Sequence, residues 1–193
     1  MTSTPPPSRA VSVLRTAVGA SVIGILLYTY AIGIPRQGAS VLDYFGYFTN
    51  LTSLLTAIVM ISAGVLALGH RAAPGWLDTA RATSVASMIV VALVYNLVVP
   101  GTGSAPVWVS VTLHVALPLF VLVDWTFVPD RRPQPWRALW VVLPYPLLWL
   151  IVVLIRGRTD GWVPYGFLLP ERGPLALATT VAALLVALLA SAV

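Results

Sequence analysis

The chain has 193 residues, of which 59% are hydrophobic and only 9% charged, with a mean hydropathy of +0.92 and a formal net charge of +5. Soluble domains carry about 25% charged residues, so this composition excludes a water-soluble globular fold. There is no Cys, and all 11 basic residues are Arg, which excludes a disulfide framework, a thiolate metal site, a cysteine nucleophile and a Schiff-base lysine.

Residues 1–10, with Pro5, Pro6 and Pro7, have no apolar period and read as a disordered tail; residues 11–193 read as one transmembrane domain. Uncharged apolar stretches then recur six times: Thr16 to Ile34, Tyr44 to Leu68, Ala82 to Val99, Val107 to Val123, Ala138 to Ile155, and Leu175 to Val193. Each is roughly 17–25 residues, the length that crosses a hydrocarbon core as a helix. The stretches do not alternate as barrel strands do, so the predicted class is all-α and polytopic, with six transmembrane helices. The first stretch is longer than the apolar segment of a signal peptide and is read as retained.

The arginines are scattered singly between apolar runs and form no stripe, so no nucleic-acid partner is expected and they are read as orientation signals. Alternate loops divide them unequally. Arg9, Arg15, Arg71, Arg81, Arg131, Arg132 and Arg137 fall on one side, against Arg36, Arg156, Arg158 and Arg172 on the other. The positive-inside rule then predicts a multi-pass protein of the cytoplasmic membrane with both termini inside.

On the other side, Thr49 of the second span, Asn96 of the third and His114 of the fourth share one layer, about 5–10 Å below the boundary at the helical rise. Tyr28, Tyr30, Tyr44, Tyr47, Tyr95 and Tyr165 crowd that same side, while Trp76, Trp125, Trp136 and Trp140 lie at the opposite interface. An ordinary aromatic belt places both residue types at both boundaries. The asymmetry predicts a polar, aromatic-lined cavity in one half of the bundle.

His114 is the one ionisable side chain set well inside a span, which makes it a functional candidate by default. A neutral imidazole accepts a proton, as a general base must; the competing reading is a histidine that packs helices through one hydrogen bond. Thr49, Thr52, Ser53 and Thr56 form a stripe at helical spacing, which serves close helix packing in many membrane proteins. A nucleophilic role for Thr49 requires an adjacent base. Asn96, beside Tyr95, and Asn50 are rival candidates to hold an oxyanion or orient the base, and either equally fits a bridge between two helices. Asp43, at the mouth of that side, is a candidate to orient His114 and fits a helix N-cap at least as well.

Asp124 lies ten residues along the same span as His114, about 15 Å deeper, and is placed at the opposite boundary with Trp125 and Arg131. His70 reads as a solvated interface residue; it falls on the other side from His114, so no metal site is expected, and no cofactor. Ala20 and Gly24 read as a tight helix contact, and Pro118, Pro144 and Pro146 as kinks within two spans.

Taken together, Tyr47-Phe48-Thr49-Asn50-Leu51, His114 with Pro118 and Asp124 behind it, and Leu154-Ile155-Arg156-Gly157 ahead of Trp162-Val163-Pro164-Tyr165-Gly166-Phe167-Leu168 resemble the androgen-induced-gene and ADTRP family of six-span membrane proteins, in particular its bacterial relatives. Animal members are threonine hydrolases that cleave fatty acid esters of hydroxy fatty acids with an intramembrane Thr and His. The resemblance implies Thr49 as nucleophile and His114 as its base. The chain departs from the family in placing Pro118 one residue nearer the histidine than the animal enzymes do. It also has Val163, Gly166 and Leu169 where bacterial relatives tend to have an aromatic residue, a second proline and an acid, and the fifth loop is assigned no catalytic role.

The expected function is an intramembrane hydrolase of lipid esters, with membrane lipids as partners and Asn50, Tyr95 and Asn96 as substrate or oxyanion contacts. The alternative is a non-catalytic protein that binds or carries lipid or a small solute in the same cavity. The sequence does not give an oligomeric state.

Overall fold

The computed structural model describes residues 6–37, 40–132 and 140–192, with the side chains of 34–37 left out. The elements are α1 (Arg9–Gln37), α2 (Val41–Gly46), α3 (Phe48–Leu68), α4 (Gly75–Leu93), α5 (Val107–Val111), α6 (Leu117–Phe127), α7 (Pro144–Thr159) and α8 (Pro174–Ser191). Five-residue π-helical turns extend α4 (Val94–Val98) and join α5 to α6 (Thr112–Ala116), and two 3-10 turns (Gly166–Leu168, Pro170–Arg172) lie between α7 and α8. No strand occurs among the described residues. Among the described residues six helical segments are long and apolar enough to cross a membrane: Arg9–Gly33, Phe48–Leu68, Gly75–Val98, Val107–Phe127, Trp140–Thr159 and Pro174–Ser191.

The expected and observed boundaries differ where a side chain terminates or extends a helix. The first helix starts at Arg9, within the segment read as tail, because the Ser8 hydroxyl accepts from the Val11 N–H at 3.3 Å and caps it. The second stretch is two helices, not one, broken at Tyr47 (φ −68°, ψ 126°). Trp149 Nε1 donates to the Gly46 carbonyl at 2.8 Å, drawing that carbonyl out of the helical ladder, and the Trp162 ring occupies the space a Cβ at Gly46 would need. Ser40, not Asp43, caps α2: its hydroxyl accepts from the Leu42 N–H at 3.0 Å, while Asp43 pairs with Arg156 at 2.8 Å. Pro144 and Pro146 start α7 rather than kink it, as suits a residue whose missing N–H falls in the unbonded first turn. Residues 138–139 and Val193, expected span ends, lie outside the described residues.

Four spans make the centre. Val22 and Leu26 of α1, Ala57 and Met60 of α3, Val85 and Met88 of α4, and Val109, Leu113, Leu117 and Val121 of the fourth span form one buried cluster. Beside it, Val142 just ahead of α7 and Leu188 of α8 bury against Ala86 and Val90 of α4, and Leu150 and Val153 of α7 form a further cluster with Phe167 and Leu168. Helices α1 and α3 approach closely at Gly19 and Gly64: a Cβ at Gly64 would stand 2.5 Å from the Ser12 carbonyl oxygen, and one at Gly19 2.6 Å from that of Ala57. The expected Ala20 and Gly24 contact is not made, since Ala20 is exposed and nothing lies within 4 Å of a Cβ at Gly24.

At the end of the bundle where α1 begins, called here the near end, three buried charged side chains, Arg15, Arg81 and Asp124, meet a partly buried fourth, Asp130. Arg15 donates to Asp124 at 2.8 Å and to Asp130; Arg81 donates to Asp124 at 3.2 Å and to Asp130 at 3.0 Å. Two cations and two anions cancel, which makes burial at 0% and 3% exposure tolerable for the arginines. Arg15 and Arg81 therefore act as internal ties between α1, α4 and the end of α6, and not as boundary charges. Hydrogen bonds and charge from both arginines outweigh the effect of burial on the Asp130 carboxyl and hold it below its ordinary range. Trp125 faces this cluster, with Arg81 and Arg131 over its ring at 5.7 and 4.6 Å.

Candidate functional site

At the far end a cavity of about 830 Å³ opens between α1, α3, α4, the fourth span, α7 and α8. Thr49, Asn50, Tyr95 and His114 line it, together with Tyr30, Tyr44, Tyr47 and Tyr165; Val181, Leu184, Leu185 and Leu188 of α8 supply an apolar wall. Tyr28 is not in the lining: it is half exposed and packs on Trp108. Trp149 joins the lining from α7.

His114 sits on the π-helical turn of the fourth span, and Pro118 is the local reason for the turn. Lacking an N–H, Pro118 cannot donate to the His114 carbonyl, and the Leu117 N–H reaches five residues back to the Thr112 carbonyl instead. The His114 carbonyl left over is taken by Asn96, whose Nδ2 donates to it at 3.2 Å and to the Ala92 carbonyl at 2.8 Å. Asn96 thereby bridges two spans and spends both amide hydrogens on main chain; it is exposed and absent from the cavity lining. It is not placed to hold an oxyanion there.

Tyr95 and Asn96 lie on a second π-helical turn, closed by the Val99 N–H on the Val94 carbonyl at 3.1 Å and stopped by Pro100. The extra residue in each turn rotates its side chains relative to an unbroken α-helix. As a result the Tyr95 and His114 rings stack across the two spans at 3.6 Å and 15°. His114 Nδ1 lies 2.8 Å from the Ser110 carbonyl oxygen. A carbonyl only accepts, so Nδ1 carries the hydrogen and Nε2 of the neutral ring keeps a lone pair.

Thr49 is the second residue of α3, where backbone N–H groups have no helical acceptor. Its partner is Tyr165: that phenol lies against the Thr49 side chain and the backbone of Phe48 and Thr49, and burial pushes its titration upward. No hydrogen bond joins Thr49 to His114, although both face one cavity. Asn50 donates to the Tyr44 carbonyl at 2.9 Å, which spends one of its two amide hydrogens. The fifth loop, assigned no catalytic role from sequence, supplies Tyr165 to the wall, on the side where the tyrosines were expected, and closes over the α2–α3 joint. Trp162 packs under Arg156 at 4.2 Å and edge-on to Tyr47 at 5.9 Å, and Arg156 bridges Asp43 and Asp160, each at 2.8 Å.

Among the described residues no group of three His, Cys, Asp or Glu side chains converges. His70 is exposed at the near end, and Asp124 is held by arginines remote from His114. Comparison of the chain with models of known protein families, with curated proteins and with solved structures finds no match.

Proposed function

We propose that the chain is an intramembrane hydrolase of fatty acyl esters, in which Thr49 is the nucleophile and His114 the general base. The observation that carries this reading is that both side chains line one cavity while the Nδ1–H of His114 is committed to Ser110, which leaves Nε2 to accept a proton. The resemblance of the Tyr47–Leu51 and His114–Asp124 segments to the androgen-induced-gene and ADTRP family supports the same pair.

In this reading an acyl chain lies along the apolar wall from α8, with its ester carbonyl at the start of α3. Thr49 Oγ1 attacks the carbonyl carbon, its proton passes to His114 Nε2, and the C–O bond to the alcohol breaks as that proton is delivered to the leaving oxygen. Water then attacks the acyl-threonine, giving its proton to the same nitrogen, and the acid leaves with the Thr49 hydroxyl restored. The carbonyl oxygen is held by the N–H groups that open α3, taking the place of the Tyr165 hydroxyl there, and by the second amide hydrogen of Asn50. No direct hydrogen bond joins Thr49 to His114, so the proton transfer requires the two side chains to approach within the cavity.

We place both termini on the cytoplasmic side and the cavity in the outer half of the bilayer: with Arg15 and Arg81 set aside as buried ties, Arg9, Arg71, Arg131, Arg132 and Arg137 of the near end still outnumber Arg36, Arg156, Arg158 and Arg172 of the far end. The test is labelling by an alkyl fluorophosphonate in bilayer nanodiscs. Wild type is expected to be labelled, with labelling lost in Thr49→Ala and His114→Ala. Equal labelling of all three would leave lipid binding without chemistry as the function of the cavity.

A further inference from the structure

A seam of polar atoms below the cavity is used by neither the ester chemistry nor the ion pairs. Ser53 and Thr56 of α3, and Ser84 and Ser87 of α4, are fully buried at 0% exposure, and none of their hydroxyls has a hydrogen-bond partner among the described residues. Arg81 Nε, one turn before Ser84, is likewise buried and without a partner. The usual satisfaction of such hydroxyls, donation to a carbonyl one turn back, is made here by Thr16, Thr29 and Thr112 but not by these four.

The phase of the helices directs three of the hydroxyls to one seam. Val59 and Ala63 of α3 meet Leu77 and, at its margin, Ala80 of α4. At 3.6 residues per turn Thr56 is about 20° from Ala63, Ser84 about 20° from Leu77, and Ser87 about 20° from Ala80. Depth gives a regular ladder. Arg81, Ser84 and Ser87 lie about 9, 13 and 18 Å from the start of α4 at Gly75, and Thr56 about 18 Å from the end of α3 at Leu68. One turn beyond Ser87, Val90 and Val91 line the cavity.

Buried polar atoms are satisfied by protein or by bound water, and water needs two or more polar partners to stay. We propose that the α3–α4 seam is a water-binding site, a short file of waters held by Thr56, Ser87, Ser84 and Arg81 Nε that runs from the cavity floor to the buried Arg–Asp cluster. Its polar cap at one end is the cavity and at the other the charges of Asp124 and Asp130. The site does not rest on the hydrolase reading, because a carrier would contain it equally.

Radiolytic footprinting tests it, because hydroxyl radicals made from bound water oxidise the nearest sulfur. Met60 is one turn from Thr56 and Met88 one turn from Ser84, and both are buried, at 1% and 0% exposure. In the full chain in nanodiscs, X-ray pulses should oxidise Met60 and Met88 at a rate within about tenfold of that for free methionine in the same solution, far above what their burial allows. Thr56→Val with Ser84→Ala and Ser87→Ala should lower both rates at least about threefold by removing the partners. If the triple variant fails to fold, the shape-preserving Thr56→Val alone should lower the Met60 rate. Background-level oxidation of both methionines in the wild type, or rates unchanged in a folded variant, would overturn the site.

Discussion

Replacing Asp124 by Asn changes one charge and almost no volume, at the point where α6 meets α1 and α4. Asp124 accepts from Arg15 at 2.8 Å and from Arg81 at 3.2 Å, with its side chain 5% exposed, so neither arginine can turn to water when the carboxylate is gone. The variant leaves two buried cations facing Asp130 alone. Breaking one partner of a buried ion pair costs about 3–5 kcal/mol; since Asp130 still contacts both arginines, the lower end, about 3 kcal/mol, is expected. For a chain of this size that corresponds to a fall in Tm of about 6–12 °C, read by Trp fluorescence or size exclusion after heating in detergent. The double variant Arg15→Met with Asp124→Leu removes one charge of each sign and leaves Arg81 balanced by Asp130, so it should be less destabilised than either single change. A Tm within 2 °C of wild type for Asp124→Asn, or singles that simply add in the double, would refute the internal-tie reasoning.

Asp130 gives the same cluster a pH signature. Its carboxyl is held below the ordinary value of 3.8, so its contribution to stability is complete above that pH and is lost as the pH falls through the folded value; thermal stability should drop below about pH 4 in wild type and less so in Asp130→Asn. Gly64→Ala should separate α1 from α3 and lower the yield of folded protein, because its Cβ meets the Ser12 carbonyl and the Thr16 backbone, whereas Gly24→Ala should fold as wild type. Asn96→Leu should cost about 1 kcal/mol by leaving the His114 carbonyl without a donor. Pro118→Ala supplies an N–H to that carbonyl and should relieve the loss in the double variant; a strictly additive double would show that Asn96 does not act there.

The six spans were legible because hydrophobic length is a property of the chain alone. Their ends were not: Arg15 and Arg81 look like boundary charges until Asp124 and Asp130, more than forty residues away, are seen to neutralise them. The second span looked continuous because nothing in Gly46-Tyr47 announces that Trp149 and Trp162 will bend it. Of the site, sequence placed Thr49, Asn50, Tyr95 and His114 on one side by counting crossings, and all four line the cavity. Rotation is the part that counting cannot supply. Asn96 shares the depth of His114 yet faces away from the cavity, and both π-helical turns that set these rotations arise beside prolines, Pro100 and Pro118, which was the available signal. Tyr165 was placed on the cavity side with the other tyrosines, but its contact with Thr49 was not legible, because its loop has no helical phase from which to infer a facing residue.

Whether Thr49 becomes covalently acylated is the most direct question. Mass spectrometry of peptides after brief reaction with a p-nitrophenyl ester of a long-chain fatty acid should find the acyl group on Thr49, and none when His114 is Ala. An unmodified Thr49 alongside steady release of p-nitrophenol, or an acyl group carried instead by Ser110 or Tyr165, would contradict the account.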